Sequence, residues 1–323
     1  SLSRTRASYR CRDRMMTTPP SISGRRLGRT TSRRAAEAVV RALIYACGWV
    51  AIVILGAIAG FLLLNALKAI QEAGLATMLS GTAWYPTSDP GKFGMLPLVV
   101  GSLFVTGVAL VVCVPVGVGA AVFISEFSSR RVKEAMKSVI EFMAAVPSVV
   151  YGLIGVAVLI PLVKQVFALD SGMTALTGGI VLGIMSVPTI VSISEDALHA
   201  VPADLRRGSA ALGNTRWQTT YKVTLPAASS GIFAATMLGL GRALGETMAV
   251  LMLTGNAAVM PGSVLESVRT MTGTIAAEMG EVVQGGLHYS VLFTVGLVLF
   301  VITFAINLAA DVVLERQRKR WRR

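Results

Sequence analysis

An arginine and a glutamate stand near the middle of a long apolar stretch of the sequence. Arg242 and Glu246 lie four residues apart in the segment GRALGETMAV, and no other charged residue occurs between Lys222 and Glu266. Residues four apart share one face of a helix, so the two side chains can form an ion pair. Arginine also presents a planar fork of donors that binds two oxygens of a phosphate-like anion. The pattern therefore has two interpretations. In the first, Arg242 lines an oxyanion pathway, and Glu246 positions it and weakens its binding of the anion. In the second, the two residues form a purely structural ion pair.

The apolar surroundings limit where this pair can lie. A charged residue at the centre of a lipid-facing helix costs about 2.5–3.5 kcal/mol on insertion scales, so both side chains are expected to face protein or water. Gly241 and Gly245 make the helix thin beside the pair, which lets another helix approach closely. Thr247 and Asn256 are polar neighbours, and we include them in the predicted substrate pathway.

The composition indicates a membrane protein. Hydrophobic residues make up 54% of the 323 residues and charged residues only 15%, which is too little polar surface to cover a soluble domain of this size. The predicted fold class is an all-α, polytopic membrane protein, because a helix satisfies its own backbone hydrogen bonds in lipid. The net charge of +13 does not indicate nucleic-acid binding, since the basic residues cluster at the chain ends and in short loops.

Six apolar stretches are long enough to cross the hydrocarbon core, which takes about 20 residues. They lie at about 43–67, 97–124, 138–162, 174–194, 227–254 and 289–312. Lys and Arg concentrate in alternate connecting segments, so the positive-inside rule predicts that both termini are cytoplasmic. Glu141 near the start of the third stretch, and Glu195 and Asp196 at the end of the fourth, are interpreted as interfacial charges that meet water or headgroups at little cost.

The stretches and their flanks divide the chain into four predicted parts. The first is a basic, disordered cytoplasmic tail, 1–41, in which Met15 or Met16 is a candidate translation start. The others are the first transmembrane helix with an external loop (42–96), the main transmembrane domain (97–312) with a cytoplasmic loop (195–226), and a basic cytoplasmic tail (313–323).

The loop 195–226 is far longer than a connection between two helices requires. Pro202 suits a first helical position, Asp204 suits the positive end of a helix, and Gly213 suits a helix stop. A second amphipathic stretch then leads to Pro226, which can open the next span. The pattern predicts a helical hairpin on the cytoplasmic face that docks a partner. An interfacial helix lying on lipid is the alternative.

The second half of this loop resembles the EAA loop of ABC-importer permeases, since Gly213 is followed after nine residues by Val223, then Leu225 and Pro226. The resemblance implies the type I ABC importer permease (MetI-like) fold and a coupling helix that sits in a groove of a separate ATPase subunit. The chain departs from the family at Arg207-Gly208-Ser209, where the family often has Glu-Ala-Ala. The coupling loop implied by the resemblance comprises Arg207, Gly208, Ser209, Ala210, Gly213, Val223, Leu225 and Pro226.

Four further segments resemble the PstC-type permeases of phosphate importers, in the CysTW subfamily of binding-protein-dependent transport components. They are MLPLVVGSLFVTGVALVVCVPVGVGAAVFISEF, AVPSVVYGL, RRGSAALGNTRWQTTYKVTLPAA and GLGRALGETMAVLMLTGN. This resemblance covers about residues 60–315 and implies that 97–312 is an ABC transmembrane type-1 domain. It also implies a second permease subunit (PstA-type), two ATPase subunits (PstB-type), an extracytoplasmic phosphate-binding protein (PstS-type), and a role for Arg242 and Glu246 in phosphate passage.

Other functions remain as alternatives. Permeases for sulfate, molybdate or phosphonate are the nearest, followed by a secondary anion transporter or channel, which would not need an ATPase dock. An intramembrane enzyme would need a nucleophile–base or carboxylate pair, and Glu246 has none at helical spacing.

No cofactor is expected. The sequence contains no P-loop motif, so ATP hydrolysis is expected on a partner subunit. His199 and His288 have no partner at metal-ligand spacing, and Cys11, Cys47 and Cys113 show no pairing pattern.

Overall fold

The computed structural model describes residues 31–321, with side chains from 37 to 315. The chain divides into two units, residues 1–57 and 58–323. In the first unit, the described part belongs to α1 (Thr31–Ala69), whose apolar side chains between Val39 and Ile54 are exposed, as expected of a helix that faces lipid. This helix begins inside the segment 1–41 that the sequence predicts as a disordered tail, and Met15 and Met16 lie outside the described residues.

The second unit consists almost entirely of helices. They are α2 (Leu75–Ser80), α3 (Leu96–Val122), α4 (Arg130–Ala145), α5 (Ser148–Ile154), α6 (Ile160–Val166), α7 (Ala175–His199), α8 (Ala203–Ala211), α9 (Arg216–Thr219), α10 (Leu225–Gly245), α11 (Met248–Leu253), α12 (Met271–Glu278) and α13 (Leu287–Trp321). The strands β1 (Trp84–Tyr85) and β2 (Lys92–Phe93) form one antiparallel pair. Single π-helical turns continue four of the helices, at Ile70–Gly74, Phe123–Phe127, Gly155–Leu159 and Thr220–Thr224.

Within the described residues, six helical segments are long and apolar enough to cross a membrane, which confirms the predicted number. They are Glu37–Ser80, Leu96–Phe127, Ser148–Val166, Ala175–His199, Arg216–Gly245 and Leu287–Glu315.

Two of the six predicted spans are shifted. The third, predicted over 138–162, begins only at Ser148, because Pro147 disfavours helical backbone at Val146 and separates the span from the charged helix α4. Glu141 therefore lies on the exposed side of α4, outside any span.

The fifth span, predicted over 227–254, runs from Arg216 to Gly245. Pro226 does not open it, because the helix already continues through the π-helical turn Thr220–Thr224. Proline is tolerated in the first turn of α10 because it only removes one backbone donor, and the wider turn before it accommodates the ring.

The helix α7 is the most buried of these six spans, and glycines let its neighbours approach. A Cβ added at Gly179 would lie 2.5 Å from the Cβ of Val108 on α3, and one added at Gly183 would lie 2.9 Å from the Cβ of Val112. On the other side, a Cβ at Gly231 of α10 would lie 2.3 Å from the Cβ of Ala197. Close backbone approach through small residues is how membrane helices gain packing energy without a hydrophobic driving force.

The second unit has two distinct ends. We call the end that carries residues 128–147 and 200–215 the hairpin end, and the end that carries 81–95 and 255–286 the loop end. At the loop end, the backbone N–H groups of Ala175 and Leu176 donate to the carbonyl groups of Glu266 and Val264. These bonds satisfy donors that the first turn of α7 would otherwise leave unpaired.

A charged cluster also fixes the loop end. Glu278 accepts a hydrogen bond from the indole of Trp84 at 3.0 Å and forms ion pairs with Arg269 at 2.6 Å and His288 at 2.8 Å. The cluster ties β1, the segment before α12 and the start of α13 together.

Candidate functional site

Arg242 lies in the last turn of α10, and its side chain is exposed in this chain. Its Nη1 donates a long hydrogen bond, 3.5 Å, to Oγ1 of Thr189, which stands near the middle of α7. The flanking glycines leave room beside it, because a Cβ added at Gly241 or Gly245 would have no neighbour within 4 Å. Arg242 therefore keeps most of its donors free, on a surface that no other described segment of the chain covers.

Glu246 does not share a helical face with Arg242. The helix α10 ends at Gly245, and Glu246 takes an extended backbone with φ −71° and ψ 135°. Its Oε1 accepts from the backbone N–H of Ala249, 3.4 Å away, at the start of α11. Within residues 37–315 no ion pair joins Arg242 to Glu246, because the break turns the carboxylate towards the next helix. The same-face pairing predicted from the four-residue spacing is therefore absent.

The two other predicted pathway residues lie around α11. Thr247 is half-buried directly before that helix, and its hydroxyl donates to the carbonyl of Gly245 at 3.4 Å. Asn256 stands just after α11 with φ +54°, and its Nδ2 donates to the carbonyl of Leu251 at 2.9 Å. Asn256 thus satisfies a carbonyl group at the end of α11 that would otherwise lack a partner. Glu246 and Asn256 therefore lie at the two ends of α11.

The predicted helical hairpin is present at the hairpin end. Pro202 precedes α8, Asp204 lies in its first turn, and Gly213 follows it with φ +82°, a left-handed conformation that favours glycine at a helix stop. A capping box of Thr215 and Gln218 then starts α9.

The residues of the implied coupling loop divide into exposed and inward-facing ones. Ser209 is buried, since its hydroxyl lies 2.8 Å from that of Thr219 and accepts from Asn214 at 3.1 Å. Val223, Leu225 and Pro226 are half-buried within the continuous helix that starts at Arg216. The exposed members are Arg207, Gly208, Ala210 and Gly213.

Large apolar side chains are exposed beside these residues. Leu205 on α8, Leu212 at its end and Trp217 on α9 are exposed, and Leu212 retains 84% of its accessible surface. Because α8 otherwise carries charged and small side chains, this apolar group is typical of a surface that a protein partner covers.

Glu195, Lys133 and Lys137 form a charge cluster that the sequence interpretation missed. The Glu195 carboxylate is buried on α7 and forms ion pairs with Lys133 and Lys137 of α4 at 2.8 Å each, and its Oε1 lies 3.2 Å from Nε2 of His199. Glu195 does lie near the end of α7, but the interpretation that it meets water or headgroups is wrong, because α4 covers it. Two pairs of residues four apart, one on each helix, were the available signal.

Comparison with known proteins agrees with this architecture. Residues 113–323 match the family described as the binding-protein-dependent transport system inner membrane component. The probable ABC transporter permease protein YqgH of Bacillus subtilis is 37% identical over 300 residues, which cover 92% of this chain and 97% of that protein. The phosphate transport system permease protein PstC of Mesorhizobium japonicum is 34% identical over 299 residues, covering 87% of this chain and 90% of the relative.

A solved structure shows the same fold. The crystal structure of a bacterial ABC transporter that imports the acidic polysaccharide alginate aligns with a TM-score of 0.60 and 15% identity, covering 88% of this chain and 99% of the matched one. The predicted all-α, MetI-like importer permease fold is confirmed, as is the resemblance to PstC-type permeases. The relatives are transport subunits rather than enzymes. This multi-pass membrane chain therefore belongs to the family of binding-protein-dependent transport system inner membrane components.

Proposed function

We propose that this chain is a permease subunit of an ATP-driven phosphate importer. The observation that carries the proposal is Arg242, whose guanidinium lies exposed beside the middle of α7 with a single long hydrogen bond. A guanidinium has five N–H donors and remains charged at any physiological pH. Those donors suit the tetrahedral oxygens of phosphate, and relatives named as phosphate transport permeases cover most of this chain.

A second permease subunit, of the PstA type, completes the pathway in this proposal. An arginine facing hydrocarbon is unfavourable by about 2.5–3.5 kcal/mol on insertion scales, so the exposed face around Arg242 needs protein or water in front of it. A pathway between two permease subunits supplies both. The phosphate ion then meets Arg242 at the subunit interface.

Glu246 has a different role in this proposal from the one its spacing suggested. Its carboxylate caps the start of α11, and its own carbonyl accepts a hydrogen bond from Thr272 at 2.9 Å. Glu246 therefore fixes the break between α10 and α11, directly after the turn that carries Arg242. Between Lys222 and Glu266 the sequence has no other arginine or lysine, so in this proposal the anion meets one guanidinium and is bound weakly enough to leave.

The hairpin end is cytoplasmic in this proposal, and both termini lie on that side. Arg130, Arg131, Lys133 and Lys137 stand at this end on α4, as the positive-inside rule requires. The exposed apolar group of Leu205, Leu212 and Trp217 is then the dock for an ATPase subunit of the PstB type. The loop end faces outwards and receives the phosphate-binding protein of the PstS type.

Anion-stimulated ATP hydrolysis tests the function. The permease pair, its ATPase and its binding protein are reconstituted in proteoliposomes, and phosphate, sulfate and molybdate are compared for stimulation of ATPase activity and for uptake. We expect stimulation and uptake with phosphate only. Preference for sulfate or molybdate would replace the proposed substrate, and phosphate uptake without ATP would assign the chain to secondary transport.

A further inference from the structure

We infer that Arg206 is a positioning residue that couples ATPase movement at the hairpin to the transmembrane pathway, by clamping the hairpin to α3 through Glu126. This inference rests on the proposed function. Arg206 lies on α8, and its Nη2 is 2.9 Å from Oε1 of Glu126. The same nitrogen donates to the carbonyl of Leu198 near the end of α7, at 2.7 Å. One side chain thus joins the hairpin to two transmembrane helices.

The second helix of the hairpin, α9, contacts the same turn at the end of α3. Trp217 of α9 packs against Phe127 with ring centroids 5.9 Å apart and planes inclined by 40°. Phe127 and Glu126 both belong to the π-helical turn Phe123–Phe127 that ends α3. The hydroxyls of Ser209 and Thr219 also join α8 to α9. Both helices of the hairpin are therefore held to α3.

The helix α3 connects this turn to the loop end. Along its length it packs closely on the glycines of α7, which leaves little room for the two helices to slide. Near its start, Ser102 Oγ accepts a hydrogen bond from the backbone N–H of Met271 at 3.0 Å. The next residue, Thr272, donates to the carbonyl of Glu246 at 2.9 Å. A continuous set of contacts therefore leads from the hairpin to the break after Arg242.

The two side chains of the clamp, Arg206 and Glu126, are largely shielded from solvent. The side chains of Arg206 and Glu126 retain 28% and 12% of their accessible surface, so each would be left partly desolvated if its partner were removed. Loss of one partner from such a pair is more damaging than loss of an exposed surface pair. The hairpin and α3 therefore move together while the clamp is closed, and ATP-driven movement of the hairpin reaches the pathway.

An exposed arginine at the same end of the molecule provides a matched control. Arg130 lies on α4, its side chain is 92% exposed, and its ion pair, 3.0 Å long, is with Glu134 of the same helix. A change at Arg130 removes the same charge from the hairpin end without opening the clamp and without altering the implied coupling loop.

The coupling ratio tests the inference in the complete reconstituted transporter. Phosphate taken up per ATP hydrolysed, basal ATPase activity and recovery of the ATPase with the permease are measured for Arg206→Gln, Glu126→Gln, the double variant and Arg130→Gln. We expect basal hydrolysis and ATPase recovery to persist while the ratio falls roughly tenfold in both single variants, a size typical of coupling between sites. The double variant should be no worse than the worse single, because both changes open one clamp.

Several results would overturn the inference. An unchanged ratio in Glu126→Gln would do so, as would additive losses in the double variant or an equal loss in Arg130→Gln. Glu126→Gln keeps the side-chain shape, so its ratio decides the question if Arg206→Gln fails to assemble. If the wild-type complex carries another anion, the proposed substrate fails and the same ratio is measured with that anion.

Discussion

At the residue level, the proposed anion pathway depends on the Arg242 guanidinium. Its side chain is exposed in the last turn of α10 and has one long hydrogen bond, to Thr189. Gly241 and Gly245 place no side chain beside it. Most of its donors are therefore free for the oxygens of an anion.

Replacing Arg242 with lysine tests whether the guanidinium itself binds the anion. Arg242→Lys keeps the charge but loses the planar fork of donors, so we expect phosphate uptake to fall roughly tenfold or more, the loss of about 1.4 kcal/mol of binding or barrier energy. Uptake into proteoliposomes measures this, with Arg130→Lys on the exposed side of α4 as the control. Wild-type uptake by Arg242→Lys would show that the anion does not meet the guanidinium directly.

The setting of Arg242 was predictable from the sequence only in part. A charge in an apolar stretch predicts a side chain that avoids lipid, and the structure places Arg242 on an uncovered face beside Thr189. The pairing with Glu246 was not predictable from spacing, because the helix breaks at Gly245 and the Glu246 carboxylate accepts from α11 instead. The carbonyl of Glu246 at that break also accepts from Thr272, which is distant in sequence.

At the scale of helices, the number of spans was predictable and two of their boundaries were not. Hydropathy identified six spans, because an apolar stretch of about 20 residues is typical of a membrane-spanning helix. It could not separate α4 from the third span, since both carry apolar residues and only Pro147 divides them. Nor could it show that α4 lies against Glu195, because that contact joins helices far apart in sequence.

The Glu195 cluster should hold α4 against α7. Glu195→Gln removes the carboxylate that pairs with both Lys133 and Lys137, at a site that is only 4% exposed, so we expect a loss of roughly 2 kcal/mol in stability. Thermal unfolding of the purified protein in detergent measures it. Glu134→Gln is the control, because the pair of Glu134 with Arg130 is largely exposed and should contribute little.

The stability difference between wild type and Glu195→Gln depends on pH in a direction that follows from Lys137. The hydrogen bond to Glu195 raises the pKa of Lys137 above its ordinary value. A raised lysine pKa means that the stabilisation by Lys137 is complete below its ordinary pKa of about 10.4 and is lost as the pH rises through the higher folded value. The stability difference between wild type and Glu195→Gln should therefore stay constant between about pH 7 and 9. A decline within that window would contradict a stabilisation that the two lysines supply alone.

At the scale of the whole molecule, the chain has the features of one part of an assembly. Its hairpin end exposes Leu212 and Trp217, and the last turn of α10 exposes Arg242. The family resemblance gave the kinds of partner, whereas the structure gives the surfaces proposed for them. Sequence alone could not show that Ser209 faces inwards, because the motif fixes spacing along the chain rather than the direction of a side chain.

Leu212 tests the proposed ATPase dock. It retains 84% of its accessible surface, so Leu212→Asp should leave the stability of the permease nearly unchanged while it greatly reduces recovery of the ATPase in affinity purification. Val283→Asp is the matched control, since Val283 is 81% exposed at the opposite end of the molecule. Normal recovery with Leu212→Asp, or an equal reduction with Val283→Asp, would contradict a dock at the hairpin.

The exposed guanidinium has a further consequence within the proposed pairing of two permeases. A copy without its partner would present a cation to the acyl chains, where neither water nor a counter-charge is available. Under this proposal, an unpaired copy is therefore less stable in the bilayer than a paired one.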